Sequence, residues 1–317
     1  MKKVLITGGA GYVGTVLAQE LVNRDYKVEV VDLLWFGDYL PDGVKVHQKS
    51  ILDLAVPEVS SYDAVVYLGG LSNDPMANYN PAMNFVENAA VPSYLAFICK
   101  EAGVKRFVYA SSCSVYGYTD NQLMDEEGDV SPQYPYGISK LAAERAIMNL
   151  SNEVFRPIAL RKGTVGGYSP RMRFDLVVNT MTKTALTEGI IRVHNPSIWR
   201  PLIDIQDVAT AYICAIEAPS QISGVYNILE DNYTIGALAE QVQSTLFEHG
   251  HQCRVEINNI KDVRNYKVSN ERAKQDLIFF PERSPSHSVD SILKNFDKNA
   301  DLTAKRFHNI RVFKEDL

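Results

Sequence analysis

Short apolar runs alternate with amphipathic stretches through the first half of the chain. Val4–Thr7, Lys27–Asp32, Ala64–Leu68, Arg106–Ser111 and Ile158–Arg161 read as buried strands. Between them, Tyr12–Arg24, Phe85–Ala102 and Tyr136–Asn149 carry apolar residues at helical spacing. The last of these helices is entered through Pro132 and Pro135. Strands alternating with helices of this length imply right-handed crossovers and a parallel sheet covered on both faces. After about residue 162 the pattern loosens into polar, proline-containing loops such as Tyr168–Phe174 and His194–Pro201. Ile203–Ala218 then reads as a strand end leading into a helix, Val225–Ile228 as a strand and Thr234–His249 as a helix. The expected fold is α/β, a doubly wound parallel sheet with a smaller α+β lobe on its C-terminal side.

Composition narrows the function classes. The 317 residues are 46% hydrophobic and 22% charged, normal for a globular protein. Lys plus Arg number 32 and Asp plus Glu 38, so the net charge is −6, which argues against a nucleic-acid partner. Cys99, Cys113, Cys214 and Cys253 form no Cys-x-x-Cys pair and no zinc spacing, so no metal site is expected and free thiols in a reducing cytoplasm are. No apolar run is long enough for a signal peptide core or a membrane span.

Four features carry chemistry. Gly8, Gly11 and Gly14 lie between the first strand and first helix, with Tyr12 and Val13 opening that helix. Bare glycine backbone there admits a pyrophosphate, and the helix dipole faces it. Asp32 ends the second strand, where a carboxylate accepts hydrogen bonds from a ribose diol and repels a 2′-phosphate. No Arg or Lys lies between Asp32 and Pro41, so the expected cofactor is NAD rather than NADP. Tyr136 and Lys140 are one helical turn apart, on one helix face. A nearby ammonium favours the phenolate and makes a tyrosine a usable acid–base group. Ser112, at the end of the fourth strand, brings a hydroxyl to the edge where open parallel sheets bind ligands.

Taken together, Thr7–Gly14, Asp32, Ser112, Val115-Tyr116-Gly117, Tyr136-x-x-x-Lys140 and Leu160-Arg161 resemble the extended short-chain dehydrogenase/reductase family. Within it the chain is similar to the NAD-dependent nucleotide-sugar epimerase/dehydratase group. The resemblance implies a Rossmann domain over 1–162, with a return segment at about 202–230. It implies a substrate lobe from 163–201 and 231–317. It makes Ser112, Tyr136 and Lys140 catalytic. It places Ser50, Ile51, Leu68, Gly69, Gly70, Leu71, Asn88 and Gly163 near the cofactor, and Ser72, Asn73, Asp74, Thr164 and Asp175 near the substrate. Arg200 and Arg264 fall where the family clamps a diphosphate, and the arginines around 161–173 add to that positive patch. The helices around Phe85–Ala102 and Tyr136–Asn149 are those by which the family dimerises.

The chain departs from the family pattern at Ser50-Ile51, Gly69-Gly70 and Lys162-Gly163-Thr164. It also has Cys113-Ser114 where 4,6-dehydratases carry Asp-Glu, so an acid to expel a hydroxyl is missing there. The expected activity is epimerisation of a nucleoside-diphosphate sugar through a keto-sugar intermediate. A nucleotide-sugar 4-dehydrogenase or 4-keto-sugar reductase would use the same three residues, and a non-catalytic NAD-binding regulator would need none of them.

Overall fold

The computed structural model describes residues 2–258, 265–295 and 300–315. Its centre is a seven-stranded sheet: β1 (Lys3–Thr7), β2 (Lys27–Asp32), β3 (Lys45–Gln48), β4 (Ala64–Tyr67), β5 (Arg106–Ser112), β6 (Arg156–Lys162) and β7 (Gly224–Ile228). The spatial order is β3-β2-β1-β4-β5-β6-β7, and every pairing is parallel. Alternate residues of each strand serve two cores. Val4, Ile6, Val28, Val30, Val66 and Val108 pack on one face against Val16, Leu17 and Leu21 of α1 (Tyr12–Asn23). Leu5, Val31, Val65, Phe107 and Tyr109 pack on the other, against α2 (Val91–Glu101) and α3 (Pro135–Asn149). Burial on both faces explains why the strands read as nearly continuous apolar runs. The strand order reverses between β1 and β4, and ligands of such sheets bind beside that point at the C-terminal strand ends.

The long helix expected over Phe85–Ala102 is broken. Pro81–Phe85 is followed by a π-turn at Val86–Ala90 before α2 begins. Pro92 supplies the reason: it has no N–H to continue the helical ladder. The orphaned Asn88 carbonyl takes the Tyr109 hydroxyl at 3.4 Å instead.

The second lobe is assembled from small pieces. Thr164–Gly166, Trp199–Asp204 and Asp231–Thr234 make a three-stranded sheet. Ile190–His194 pairs with Arg254–Asn258. Tyr118–Met124, an excursion from the first half, pairs with Asn265–Val268. Val178, Met181, Ile191, Leu238, Val242 and Val289 form its core. Ile205–Glu217, capped by the Asp204 carboxylate on the Gln206 amide, returns the chain to the first core before β7.

Candidate active site

A cleft of about 800 Å³ opens at the reversal point between the lobes. At one end, Gly8 has φ +73°, and a Cβ there would meet the Gly69 backbone at 2.4 Å. A Cβ on Gly14 would meet the Gly9 carbonyl oxygen at 2.3 Å. These two glycines are required by close packing of the turn. Gly11 is different: its φ is −79° and the nearest atom to an added Cβ, the Gly8 oxygen, is 3.4 Å away. Neither backbone nor packing demands a glycine, so the bare surface is left for a ligand. No side chain caps α1, and Gly11, Tyr12 and Val13 line the cleft. That end suits a phosphate.

Asp32 accepts the Ala10 and Leu34 amides at 3.0 and 2.8 Å, and burial raises its pKa. Ser50 caps the short turn Ile51–Asp53 through the Leu52 amide, and both Ser50 and Ile51 line the cleft. Leu68, Gly69, Gly70 and Gly163 line it as well. Asn88 does not. It is fully buried and holds the loop from behind, donating to the Leu71 carbonyl at 2.9 Å and the Asn84 side chain at 2.7 Å.

Ser112, Tyr136 and Lys140, the three residues expected to be catalytic, line the cleft together. Ser112 accepts the Ser114 hydroxyl at 2.9 Å and is hydrogen-bonded to the Tyr136 side chain. Burial, then the Asp74 charge, raises the Tyr136 pKa to about 12, while Arg173 and Ser112 draw it down. Lys140 lies 5.8 Å from the Tyr136 ring centroid, and burial with the nearby Lys162 depresses its own pKa well below the usual lysine value. Arg173 is thus the cation that draws the Tyr136 pKa down in the protein alone, with Lys140 one helical turn away.

Beyond Tyr136, Arg173 grips Asp175 through two bonds of 2.9 Å, and Asn73 donates to the same carboxylate at 2.8 Å. Asp175 is thus occupied in orienting Arg173, and its pKa is lowered despite its burial. Ser72, Asp74, Thr164 and Arg200 line the cleft, and the Arg200 guanidinium lies 5.5 Å from the Tyr266 ring. Arg264 lies outside the described residues. Arg161 is not part of the positive patch: it is buried behind the site, paired with Glu144 at 2.6 Å and bonded to the Tyr116 hydroxyl. Lys162, Arg192 and Tyr266, to which the sequence assigns no site role, also face the cleft. Lys162 donates to the Ser111 carbonyl and the Tyr212 hydroxyl, both at 3.2 Å, and burial lowers its pKa to about 7. Its place at the end of a strand was the available signal.

A phosphate-ready helix start, a carboxylate ending β2 and a Ser–Tyr–Lys cluster define a dinucleotide-binding Rossmann protein with an acid–base site. The chain belongs to the NAD dependent epimerase/dehydratase family, whose model matches residues 4–228. NAD is the family's cofactor, and the open Gly11 surface and Asp32 fit it. UDP-arabinose 4-epimerase 1 of Arabidopsis thaliana is 27% identical over 71% of this chain, an alignment spanning 62% of that protein. UDP-glucose 4-epimerase of Corynebacterium glutamicum is 25% identical over 90% of this chain and 93% of its own. The solved structure of MoeE5 in complex with UDP-glucuronic acid and NAD superposes with a TM-score of 0.79 at 26% identity, covering 91% of this chain and 97% of MoeE5. Among the described residues no helix is long and apolar enough to cross a membrane.

Proposed function

We propose that the chain is an NAD-dependent epimerase of a nucleoside-diphosphate sugar. The observation that carries this reading is the hydrogen-bonded Ser112–Tyr136 pair with Lys140, set between a dinucleotide-ready loop and an arginine-bearing second lobe. Bound NAD takes up and returns a hydride, and its oxidised ring carries a positive charge. The side chains do the proton work. Tyr136 takes the proton of a sugar hydroxyl while Ser112 holds the same oxygen. Arg173 and Ser112 draw the phenol toward its deprotonated form, and an oxidised nicotinamide held in the cleft would add to that pull. Arg200 and Arg173 present guanidinium forks to the diphosphate and sugar of the substrate.

Dehydration is disfavoured by what stands after Ser112. The Cys113 thiol is buried on the Arg161 carbonyl, and the Ser114 hydroxyl is turned onto Ser112, so neither position offers a carboxylic acid. Two UDP-sugar 4-epimerases among the relatives support the choice. The test is incubation of the purified chain with a panel of nucleoside-diphosphate sugars. Interconversion of epimers with no added cofactor is the expected result. Accumulation of NADH without an epimer would instead make the chain a dehydrogenase.

The same reading includes a homodimer. Phe85, Val86, Tyr94, Phe97 and Ile138 are exposed on and around the adjoining helices α2 and α3. Phe97→Glu should convert a dimer to a monomer in light scattering. The four free thiols fit a reducing cytoplasm.

A further inference from the structure

We propose that Arg171 is a ligand of the cofactor's diphosphate, reaching from the second lobe to phosphates seated on the bare start of α1. Three observations place it there. The segment that carries Arg171 is fastened to that helix start: the Tyr12 hydroxyl donates to the Gly167 carbonyl at 2.6 Å, and the Ser169 hydroxyl donates to the Tyr12 carbonyl at 2.8 Å. The Arg171 guanidinium stacks on Phe36, 3.9 Å from the ring centroid, in the loop that follows Asp32. It lines the cleft on the cofactor side, whereas Arg173, two residues on, is committed to Asp175 and acts on Tyr136.

The charge is also without a counter-ion. Arg171 is only 2% exposed, yet no carboxylate among the described residues pairs with it. One nitrogen donates to the Asn309 side chain at 2.5 Å, and a second makes a long 3.5 Å contact with the Met172 carbonyl. Nε has no partner. Asn309 in turn donates to Ser72 at 2.7 Å, so the guanidinium is held by a chain of polar groups that themselves line the cleft. Burial, then the Arg173 charge, pulls its pKa down to about 9 against the more distant Asp175 and Asp32. A buried, oriented cation with an unused donor is expensive unless an anion completes it, and guanidinium matches phosphate oxygens in geometry and charge. The diphosphate of a dinucleotide supplies that anion. The inference requires NAD in the cleft but not any particular sugar chemistry, so it survives if the epimerase reading fails.

The test compares Arg171→Met and Arg171→Lys with the unaltered full chain, freed of bound nucleotide. Affinities for NAD, ADP and UDP are measured by calorimetry, and for adenosine by saturation-transfer NMR. Losing one charge-assisted contact should weaken both NAD and ADP about 10- to 100-fold in the Met variant, and less in the Lys variant. Adenosine and UDP should bind within about twofold of the original. Unchanged NAD and ADP affinity overturns the proposal. So does an equal loss for adenosine, which would mean a damaged pocket. A loss confined to UDP would move Arg171 to the substrate. If the Met variant does not fold, the Lys variant carries the same comparisons, with circular dichroism as the check on folding.

Discussion

The two walls of the cleft are built by different means. The first is the edge of one continuous sheet: the ends of β1, β2, β4 and β5 deliver the glycine turn, Asp32, the Gly69–Gly70 loop and Ser112 from neighbouring strands. Much of its recognition surface is backbone. The second wall is a patchwork of three small sheets and separate loops, and it lines the cleft with long cationic side chains, Arg173, Arg192 and Arg200. A wall of backbone and strand ends suits a cofactor that every member of a family shares. A wall of side chains on short elements can be retuned without disturbing the sheet.

Changes at the catalytic end of the first wall should alter turnover, and changes in the second should alter substrate affinity. The largest effect expected is from Tyr136→Phe. Turnover should fall about a thousandfold, within the usual range for an acid–base group, while NAD binding measured by calorimetry stays the same. Full turnover in this variant would remove Tyr136 from the chemistry.

Next comes Glu144→Ala, which probes the stiffness of the first wall. Glu144 is paired with Arg161 and accepts the Ser111 hydroxyl at 2.6 Å directly behind Ser112. Stranding that arginine should cost about 3–5 kcal/mol in urea unfolding. A cost near zero would show that the network is not what holds the strand end.

Arg200→Ala tests the second wall. We expect KM for the nucleotide sugar to rise about tenfold or more with NAD affinity unchanged. A fall in kcat at constant KM would erase the distinction between the walls.

The smallest effect is a pH dependence at the seam between them. The folded-state pKa of Lys162, about 7, lies below its usual value, so between roughly pH 7 and 10.5 the unfolded chain holds more protons on this residue. Its contribution to stability is therefore least favourable below pH 7 and improves as the pH rises. Lys162→Met should be more stable than the unaltered chain at pH 6, by a margin that shrinks toward pH 10. A margin independent of pH would mean that the lysine is charged at no cost.

The same contrast explains what the sequence disclosed. The parallel sheet was legible because burial on both faces writes itself as apolar runs, and because α1, α2 and α3 fall between those runs. β3 was passed over: Lys45-Val46-His47-Gln48 is an edge strand with one aliphatic residue. Tyr118–Met124 was missed because polar residues fill it and its partner strand, 265–268, lies far along the chain. The glycine loop, Asp32, Ser112, Tyr136 and Lys140 could be picked out by spacing, since each sits at a strand end or in the first two turns of a helix. Arg173 and Lys162 could not be assigned roles, because what they face depends on loops converging from separate elements. Asn88 shows the reverse limit: the motif named the residue, but whether it lines a cleft or props a loop is decided by a π-turn.

The placement of β7 has a consequence for how the molecule comes apart. The sheet of the first lobe is completed by residues 224–228, made only after the chain has contributed Thr164–Gly166 and Trp199–Asp204 to the second. Neither lobe is therefore a contiguous length of polypeptide, and no single cut releases one intact. Heat should melt both in one cooperative transition rather than two, and a fragment ending near residue 162 should lack an edge of its own sheet.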